Sequence, residues 1–409
     1  MKETKFKNTE IGRIPEEWET LYIHQITEIS TGATPSTNIN EYWENGTIRW
    51  MSSGELNNKI IYDVNGRITQ KGYDNTGTHM LPKNCVLIGL AGQGKTRGTA
   101  AYNKVELCTN QSIAAILPNS KYKSKYLYFY IDSLYDKLRL LSAGDGGRGG
   151  LNKQILQNLE IAMPPLNEQH HIASALTSID NLISSLGKLI EKKKNIKQGA
   201  MQQLLTGQIR LKGFSEPWVY RKISEIATTS SGGTPSRSIP NYYYGDIKWF
   251  TTTELKDNYL YDSVEHITRE ALNNSSAKMF SANTILMAMY GATIGKLGVL
   301  KEPSTTNQAC CAIKCNDIVE IFLFYILLYN RKSIIEKGCG AGQPNISQAI
   351  VNELSFLVPP CEKEQQAIAN ILSKMDNEIT ALEAKRAKYE AIKQGMMQQL
   401  LTGKIRLIS

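Results

Sequence analysis

Three groups of residues have the types and spacing to do chemistry. Gly89-Leu90-Ala91-Gly92-Gln93-Gly94-Lys95-Thr96 fits G-x-x-x-x-G-K-[ST], the loop whose backbone N–H groups and lysine cradle nucleotide phosphates while a hydroxyl holds magnesium. That chemistry needs a helix opening at the lysine, with its N-terminus facing the phosphates. The residues that follow, Arg97-Gly98-Thr99-Ala100-Ala101-Tyr102-Asn103, read as turn and strand instead. A matching stretch, Gly291-Ala292-Thr293-Ile294-Gly295-Lys296-Leu297-Gly298, keeps the glycines and the lysine but has no Ser or Thr for the metal. An NTPase is set aside, and what remains is a glycine-bounded loop carrying Lys95 and Arg97, or Lys296, suited to a phosphate backbone. The second group, Cys310-Cys311 with Cys315, has no second ligand pair at zinc spacing, and Ala309, Ala312 and Ile313 around it read as a strand interior. The third is histidine: His170-His171 lies at a helix start and the others are isolated, so no metal and no nucleophilic site is expected.

The elements that position these loops must come from a chain of 409 residues, enough for two or three cored domains. Hydrophobic residues at 41% and charged ones at 21% describe a folding chain rather than a disordered one. The longest apolar run, Ile321 to Tyr329, falls short of the roughly 20 residues of a membrane span. Met1 to Glu10 is polar and shows no secretory pattern, so a cytoplasmic chain with its seven cysteines reduced is expected.

The chain is a tandem duplication. Gln198 to Gly207 returns as Gln394 to Gly403, and residues 168–211 match 364–407 at 24 of 44 positions. Upstream, Ser30-Thr31-Gly32-Ala33-Thr34-Pro35-Ser36 corresponds to Ser230-Ser231-Gly232-Gly233-Thr234-Pro235-Ser236, and Ile48-Arg49-Trp50 to Ile247-Lys248-Trp249. Thr109-Asn110-Gln111 corresponds to Thr306-Asn307-Gln308, and Met163-Pro164-Pro165 to Val358-Pro359-Pro360. Four segments follow: globular residues 1–166, a long helix at 167–207, globular residues 208–361, and a second long helix with its tail at 362–409.

In the first helix Ile172, Leu176, Ile179, Ile183, Leu186 and Ile190 step by four and three. Ile368, Leu372, Met375, Ile379, Leu382 and Tyr389 repeat that lattice, with Arg386 interrupting. Prolines precede both helices, and Gly207 and Gly403 close them. At 1.5 Å per residue, residues 167–205 reach about 58 Å. A core helix of one domain is one reading, but the length favours the two helices pairing as an antiparallel coiled coil or two-helix stalk. Lys188, Lys192, Lys193, Lys194 and Lys197 read as a solvated face, with phosphate or an acidic partner as the other option.

The globular parts read as α+β (mixed α/β). Val86-Leu87-Ile88, Ile113 to Ile116 and Thr284 to Met287 are expected strands, and Tyr126 to Leu141 and Glu320 to Glu336 expected helices. Each helix runs into a glycine-rich loop, Gly144 to Gly150 or Gly338 to Pro344, that either lets backbone approach a ligand or is a surface turn. Net charge of +9 and tyrosine as 20 of the aromatics suit an anionic polymer, although Tyr-rich surfaces also bind proteins. With no acid/base pair or Ser-His-Asp order in evidence, binding outranks catalysis.

The ordered set resembles the specificity (S, or HsdS) subunit of type I restriction-modification enzymes over the whole chain. In each half it comprises Trp18 or Trp218, the Thr-Pro-Ser block, Ile48-Arg49-Trp50 or Ile247-Lys248-Trp249, the glycine loop near Lys95 or Lys296, and Thr-Asn-Gln. Pro-Pro follows, then Glu168-Gln169 with Asp180, or Glu364-Gln365 with Asp376. The resemblance implies two tandem target recognition domains, each reading one half of an asymmetric bipartite site on double-stranded DNA. Two long helices would set the spacing in a pseudo-twofold arrangement and dock methyltransferase (M) subunits, two per S. A restriction (R) subunit could join, and no membrane is involved. It also implies no catalysis by this chain and no cofactor in it, the S-adenosylmethionine belonging to the M subunit; no N-P-P-[YF] motif is present. The expected DNA contacts are Lys95, Arg97 and Arg148 in the first copy and Arg237, Lys248 and Lys296 in the second. Thr34, Ser36, Gln111, Thr234, Ser236, Gln308 and Gln343 follow. For Thr34, Pro35, Trp50 and their equivalents a role in holding the fold is the stronger reading. Two alternatives stand beside this one: a coiled-coil protein-binding scaffold without a DNA role, and an S-like subunit serving a fused restriction-methylation polypeptide.

Overall fold

Strands that are apolar at every position need cover on both faces, and the central sheet of each half meets that demand. The structure is a computed structural model that describes residues 4–92, 94–143, 150–338 and 345–408. The chain forms two compact units, Met1–Gly187 with Ala384–Ser409, and Lys188–Glu383.

In the first unit the sheet order is Ile29–Thr31, Ile113–Ile116, Val86–Gly89, Ala100–Asn103 and Ile60–Ile61, antiparallel except for the last pair. Side-chain alternation divides it between two cores. Val86, Ile88, Ala114 and Ile116 join Trp18, Tyr126 and Phe129 on one face, whereas Leu87, Ala101, Ile113 and Ala115 join Met51, Leu56 and Leu107 on the other. The second unit repeats the order with Ala227–Ser231, Cys310–Cys315, Ile285–Ala288, Leu297–Leu300 and Asn258–Leu260, and divides its cores the same way. A smaller sheet stands beside each large one. Ile48–Met51 lies between Cys108–Thr109, parallel, and Arg67–Ile68, antiparallel; Ile247–Phe250 lies between Thr305–Thr306 and Glu265–Ile267 in the same senses.

The helices expected over Tyr126 to Leu141 and Glu320 to Glu336 are each two helices, Ser124–Ser133 with Tyr135–Leu141 and Glu320–Tyr329 with Arg331–Lys337. Side chains at the breaks compete with the helical ladder. The Ser133 hydroxyl donates to the Tyr130 carbonyl at 2.6 Å and the Asn330 amide to that of Ile326 at 2.9 Å.

The long helices span Leu166–Leu205 and Glu362–Leu400. Each compact unit takes the beginning of one and the end of the other, so the units cut across the sequence-contiguous segments. In the first unit Ile172 and Leu176 share a core with Leu400 and Leu401, and Lys393 pairs with Asp180 at 2.6 Å. In the second Ile368 and Leu372 share one with Met201, Leu204 and Leu205, and Lys197 pairs with Asp376 at 2.5 Å. Within each unit, therefore, the two helices run antiparallel. Of the heptad residues Ile172, Leu176, Ile179, Leu186, Ile190, Ile368, Leu372 and Ile379 are buried. Gly207 and Gly403, at φ of +72° and +70°, end the helices in the left-handed conformation that glycine adopts without strain.

Lys188, Lys192 and Lys194 are exposed, as the solvated face expected of the lysine run requires, but three of its members face acidic residues on the other long helix. Lys193 pairs with Glu378 at 2.6 Å, Lys194 with Glu383 at 2.7 Å, and Lys197 with Asp376, beside the Tyr325 ring. The antiparallel register brings acidic residues opposite, which spacing along one helix does not show. Among the described residues, no helix is long and apolar enough to cross a membrane.

Candidate nucleic-acid interface

The blocks shared by the two copies are knitted to each other. A Cβ on Gly32 would stand 1.8 Å from the Thr109 carbonyl oxygen, and one on Gly232 would stand 2.1 Å from that of Thr306, so only glycine lets these segments pass. The Trp50 indole donates to the Ala33 carbonyl at 3.0 Å and the Trp249 indole to that of Gly233 at 2.9 Å. Pro35 and Pro235 are buried. At the surface the Thr34 hydroxyl donates to the Gln111 side-chain carbonyl at 2.5 Å, and the Thr234 hydroxyl donates to Gln308 in the same way. Thr34, Gln111, Thr234 and Gln308 thus form one duplicated pair, tying the Thr-Pro-Ser block to the Thr-Asn-Gln block. Ser36 is exposed, and so is Ser236, whose hydroxyl meets that of Ser238 at 2.7 Å.

The glycine loop after Val86–Gly89 is the tip of a β-hairpin, since the Gly89 N–H donates to Thr99 and the Gly98 N–H donates back to Gly89. The chain then enters the strand Ala100–Asn103, and no helix opens at Lys95. Arg139 donates to the Gly94 carbonyl at 2.8 Å and Tyr135 to that of Lys95 at 3.2 Å, which fixes the loop from below. The Lys95 side chain is exposed and, among the described residues, has no ion pair. Arg97 is half-buried and donates to Gly92 and to the Ser142 hydroxyl, each at 3.3 Å. The second copy builds the same hairpin, but there Lys296 is tied to Asp257 at 3.0 Å, a carboxylate it shares with Arg331. Arg148 and Gln343 lie outside the described residues.

The other two candidate cations of the second unit, Arg237 and Lys248, lie at its smaller sheet. Arg237 pairs with Glu265 and lies 4.1 Å over the Tyr243 ring; the guanidinium holds the Glu265 carboxyl below its ordinary range. Lys248 donates to the Tyr261 carbonyl at 2.6 Å and to Glu302 at 2.7 Å. Across the strand pair, in register with Lys248, stands His266, which meets Asp262 at 3.0 Å. The first unit has the same arrangement, and residue typing alone missed it. Arg49 stands in register with Arg67, and Asp63 bridges both at 2.8 and 2.9 Å, its carboxyl held low chiefly by the hydrogen bond from Arg49. Beside each carboxylate an aromatic ring faces solvent, Tyr62 at 69% exposure and Tyr261 at 66%. The signal was present as the dipeptide Tyr62-Asp63 returning as Tyr261-Asp262.

The cysteine cluster is a strand, with burial pushing the Cys310 and Cys311 thiols up to about 12. Among the described residues, no three of His, Cys, Asp and Glu are grouped to hold a metal.

Comparison with known proteins agrees with the duplication. The family model for the type I restriction modification DNA specificity domain matches twice, at residues 15–198 and 215–394. The type I restriction enzyme MjaVIII specificity subunit of Methanocaldococcus jannaschii is 28% identical over 438 aligned positions, covering 99% of this chain and 97% of that one. The MjaIX specificity subunit of the same organism is 24% identical with the same coverage. Among solved structures, the type I restriction-modification S subunit from M. genitalium has a TM-score of 0.63 at 16% identity, covering 97% of this chain and 98% of that one. Two tandem matches, the full-length relatives and a shared fold lead to one conclusion: the chain belongs to the type I restriction modification DNA specificity domain family and carries two copies of that domain.

Proposed function

We propose that this chain is the DNA-recognition subunit of a type I restriction-modification system, each globular body reading one half of an asymmetric bipartite site. The observation that carries the reading is the tandem pair of DNA specificity domains, each with its own hairpin loop and its own exposed tyrosine beside paired cations. Two copies of one frame with different surface residues suit two different half-sites. The long helices, nearly the same in both copies, serve as spacer and as docking surface for methyltransferase subunits, two per specificity subunit, with a restriction subunit able to join them. Catalysis and S-adenosylmethionine then belong to the partner, and the complex works in the cytoplasm.

The test is the salt dependence of DNA affinity in the complex with its methyltransferase subunits. Log affinity falls linearly with log salt, by about 0.9 per phosphate neutralised. Lys95→Ala should lower that slope by about one contact, whereas Lys296→Ala, whose ammonium Asp257 already neutralises, should leave it near the wild-type value. Affinity independent of salt would favour the protein-binding scaffold.

A further inference from the structure

The two units hold certain backbone positions identically and place different side chains there. Glu55 caps the turn after Ile60–Ile61, accepting from the Ser52 N–H at 3.0 Å and from the Asn65 N–H at 2.8 Å. Glu254 does the same in the second unit, accepting from Thr251 at 2.7 Å and from Val264 at 2.8 Å. Asn65 and Val264 are therefore equivalent points fixed by one device, and both side chains are exposed. The glycine before the central strand is fixed in both as well: a Cβ there would meet the backbone of Ile68 at 2.6 Å or of Ile267 at 2.1 Å. Just ahead of those glycines the copies differ by one residue: Glu44-Asn45 in the first unit stands where the second has Tyr244 alone, all three exposed.

Val264 is 85% exposed, Tyr244 80% and Tyr261 66%, and all three lie by the strand pair Ile247–Phe250 and Glu265–Ile267. Basic residues stand beside them: Lys248 and His266 are strand partners, and a backbone bridge joins Tyr244 to His266. Both copies set two basic residues in register beside an exposed tyrosine, Arg49 with Arg67 and Lys248 with His266. Exposed tyrosines beside basic side chains suit a duplex groove. There phosphates would take the place of the carboxylates that now hold the cations, Asp63 in the first unit and Glu302 in the second, and the other side chains would meet base edges or a thymine methyl.

We propose, resting on the DNA-recognition reading above, that the exposed edge of the three-stranded sheet is the base-reading face of each unit. The shared tyrosines and basic pairs face the duplex, and the exchanged residues Asn65 and Val264 set which base each unit reads at that point. The exchange is of exposed side chains on backbone held alike by Glu55 and Glu254, so it changes what is read without rebuilding the frame.

The test grafts the first unit's residue into the second. The full-length Val264→Asn chain is co-expressed with its methyltransferase subunits, and methylated positions are read by single-molecule sequencing beside wild type. The expected result is a change at one or two base pairs in one half-site, with preference there shifted by about tenfold or more, while the other half and the spacing stay as in wild type. If methylation at the wild-type site is lost, DNA randomised in one half only should restore binding by the purified complex; that outcome supports the proposal. A motif identical to wild type, or a loss that no substitution in one half restores, overturns it. Failure of wild type itself to direct any motif would count against the underlying function and is distinct from both.

Discussion

Arg406→Ala lowers the stability of the Met1–Gly187/Ala384–Ser409 unit by about 3–5 kcal/mol, the cost of removing one partner from a buried ion pair. The Glu168 carboxylate is 2% exposed and accepts from Arg406 Nε at 2.7 Å, Arg406 Nη2 at 2.8 Å and the Trp18 indole at 3.0 Å. The Arg406 side chain is itself only 7% exposed, so truncation strands a carboxylate that water cannot readily reach. An exposed pair such as Lys194 with Glu383 contributes at most about 1 kcal/mol, and its removal is the internal control. Urea denaturation followed by tryptophan fluorescence should show the first unit unfolding early and Lys188–Glu383 unfolding as in wild type. Adding Glu168→Gln to Arg406→Ala should recover part of the loss, because the amide needs no counter-charge. A loss below about 1 kcal/mol would mean that the pair is solvated in solution. The duplicate of this clasp, Arg210 on Glu364 at 2.7 and 2.8 Å, holds the tail of the first long helix in the second unit.

Gly32→Ala is expected to destabilise the first unit by about 3 kcal/mol, the upper part of the overpacking range. The obstacle is backbone: the new Cβ would meet the Thr109 carbonyl oxygen at 1.8 Å and its carbonyl carbon at 2.4 Å, and neither can swing away as a side chain could. Relief requires parting the Thr-Pro-Ser block from the Thr-Asn-Gln block, which also breaks the bond between Thr34 and Gln111. DNA affinity of the assembled complex should therefore fall along with stability. Gly187→Ala supplies the opposite sign. It lies within a long helix with nothing near its Cβ position, so alanine should stabilise by about 0.5–1 kcal/mol. Thermal unfolding of the two variants should move in opposite directions, and equal shifts would show that the close approach at Gly32 relaxes freely.

Much of the architecture was legible because it repeats. The Gln-Gln-Leu-Leu-Thr-Gly endings and the three-four lattice of Ile172 to Ile190 are properties of short stretches, and short stretches can be read directly. The partners of those helices could not be read in that way. Lys193, Lys194 and Lys197 find Glu378, Glu383 and Asp376 only through an antiparallel register that the lysines themselves do not encode. Arg406 likewise reaches Glu168 across 238 residues, although the tail Ile405-Arg406-Leu407 was already visible as a repeat of Ile209-Arg210-Leu211. The helix breaks at Leu134 and Asn330 rest on single side-chain bonds that leave the apolar pattern undisturbed.

At the candidate interface, residue type could not separate a free cation from an occupied one. Lys95 and Lys296 look equivalent in sequence, but the hairpin bonds align Lys296 with Thr99 and Gly295 with Gly98, and Asp257 reaches Lys296 once the strand Asn258–Leu260 is laid beside Leu297–Leu300. Agreement between the copies drew attention to Thr34, Trp50 and Gln111, whose shared bonds join one motif to another. The positions at which the copies differ, such as Asn65 and Val264, stand out only when their exposure is known.

The central claim is that two DNA-reading bodies on one chain specify one split site. Its most direct test is single-molecule sequencing of DNA from cells carrying the wild-type chain with its methyltransferase gene, beside cells carrying either alone. The account predicts a methylated motif of two unlike half-sites at a fixed gap, appearing only when both genes are present. A continuous motif, a motif made by the methyltransferase alone, or no motif with both proteins folded and methyl donor present would contradict it.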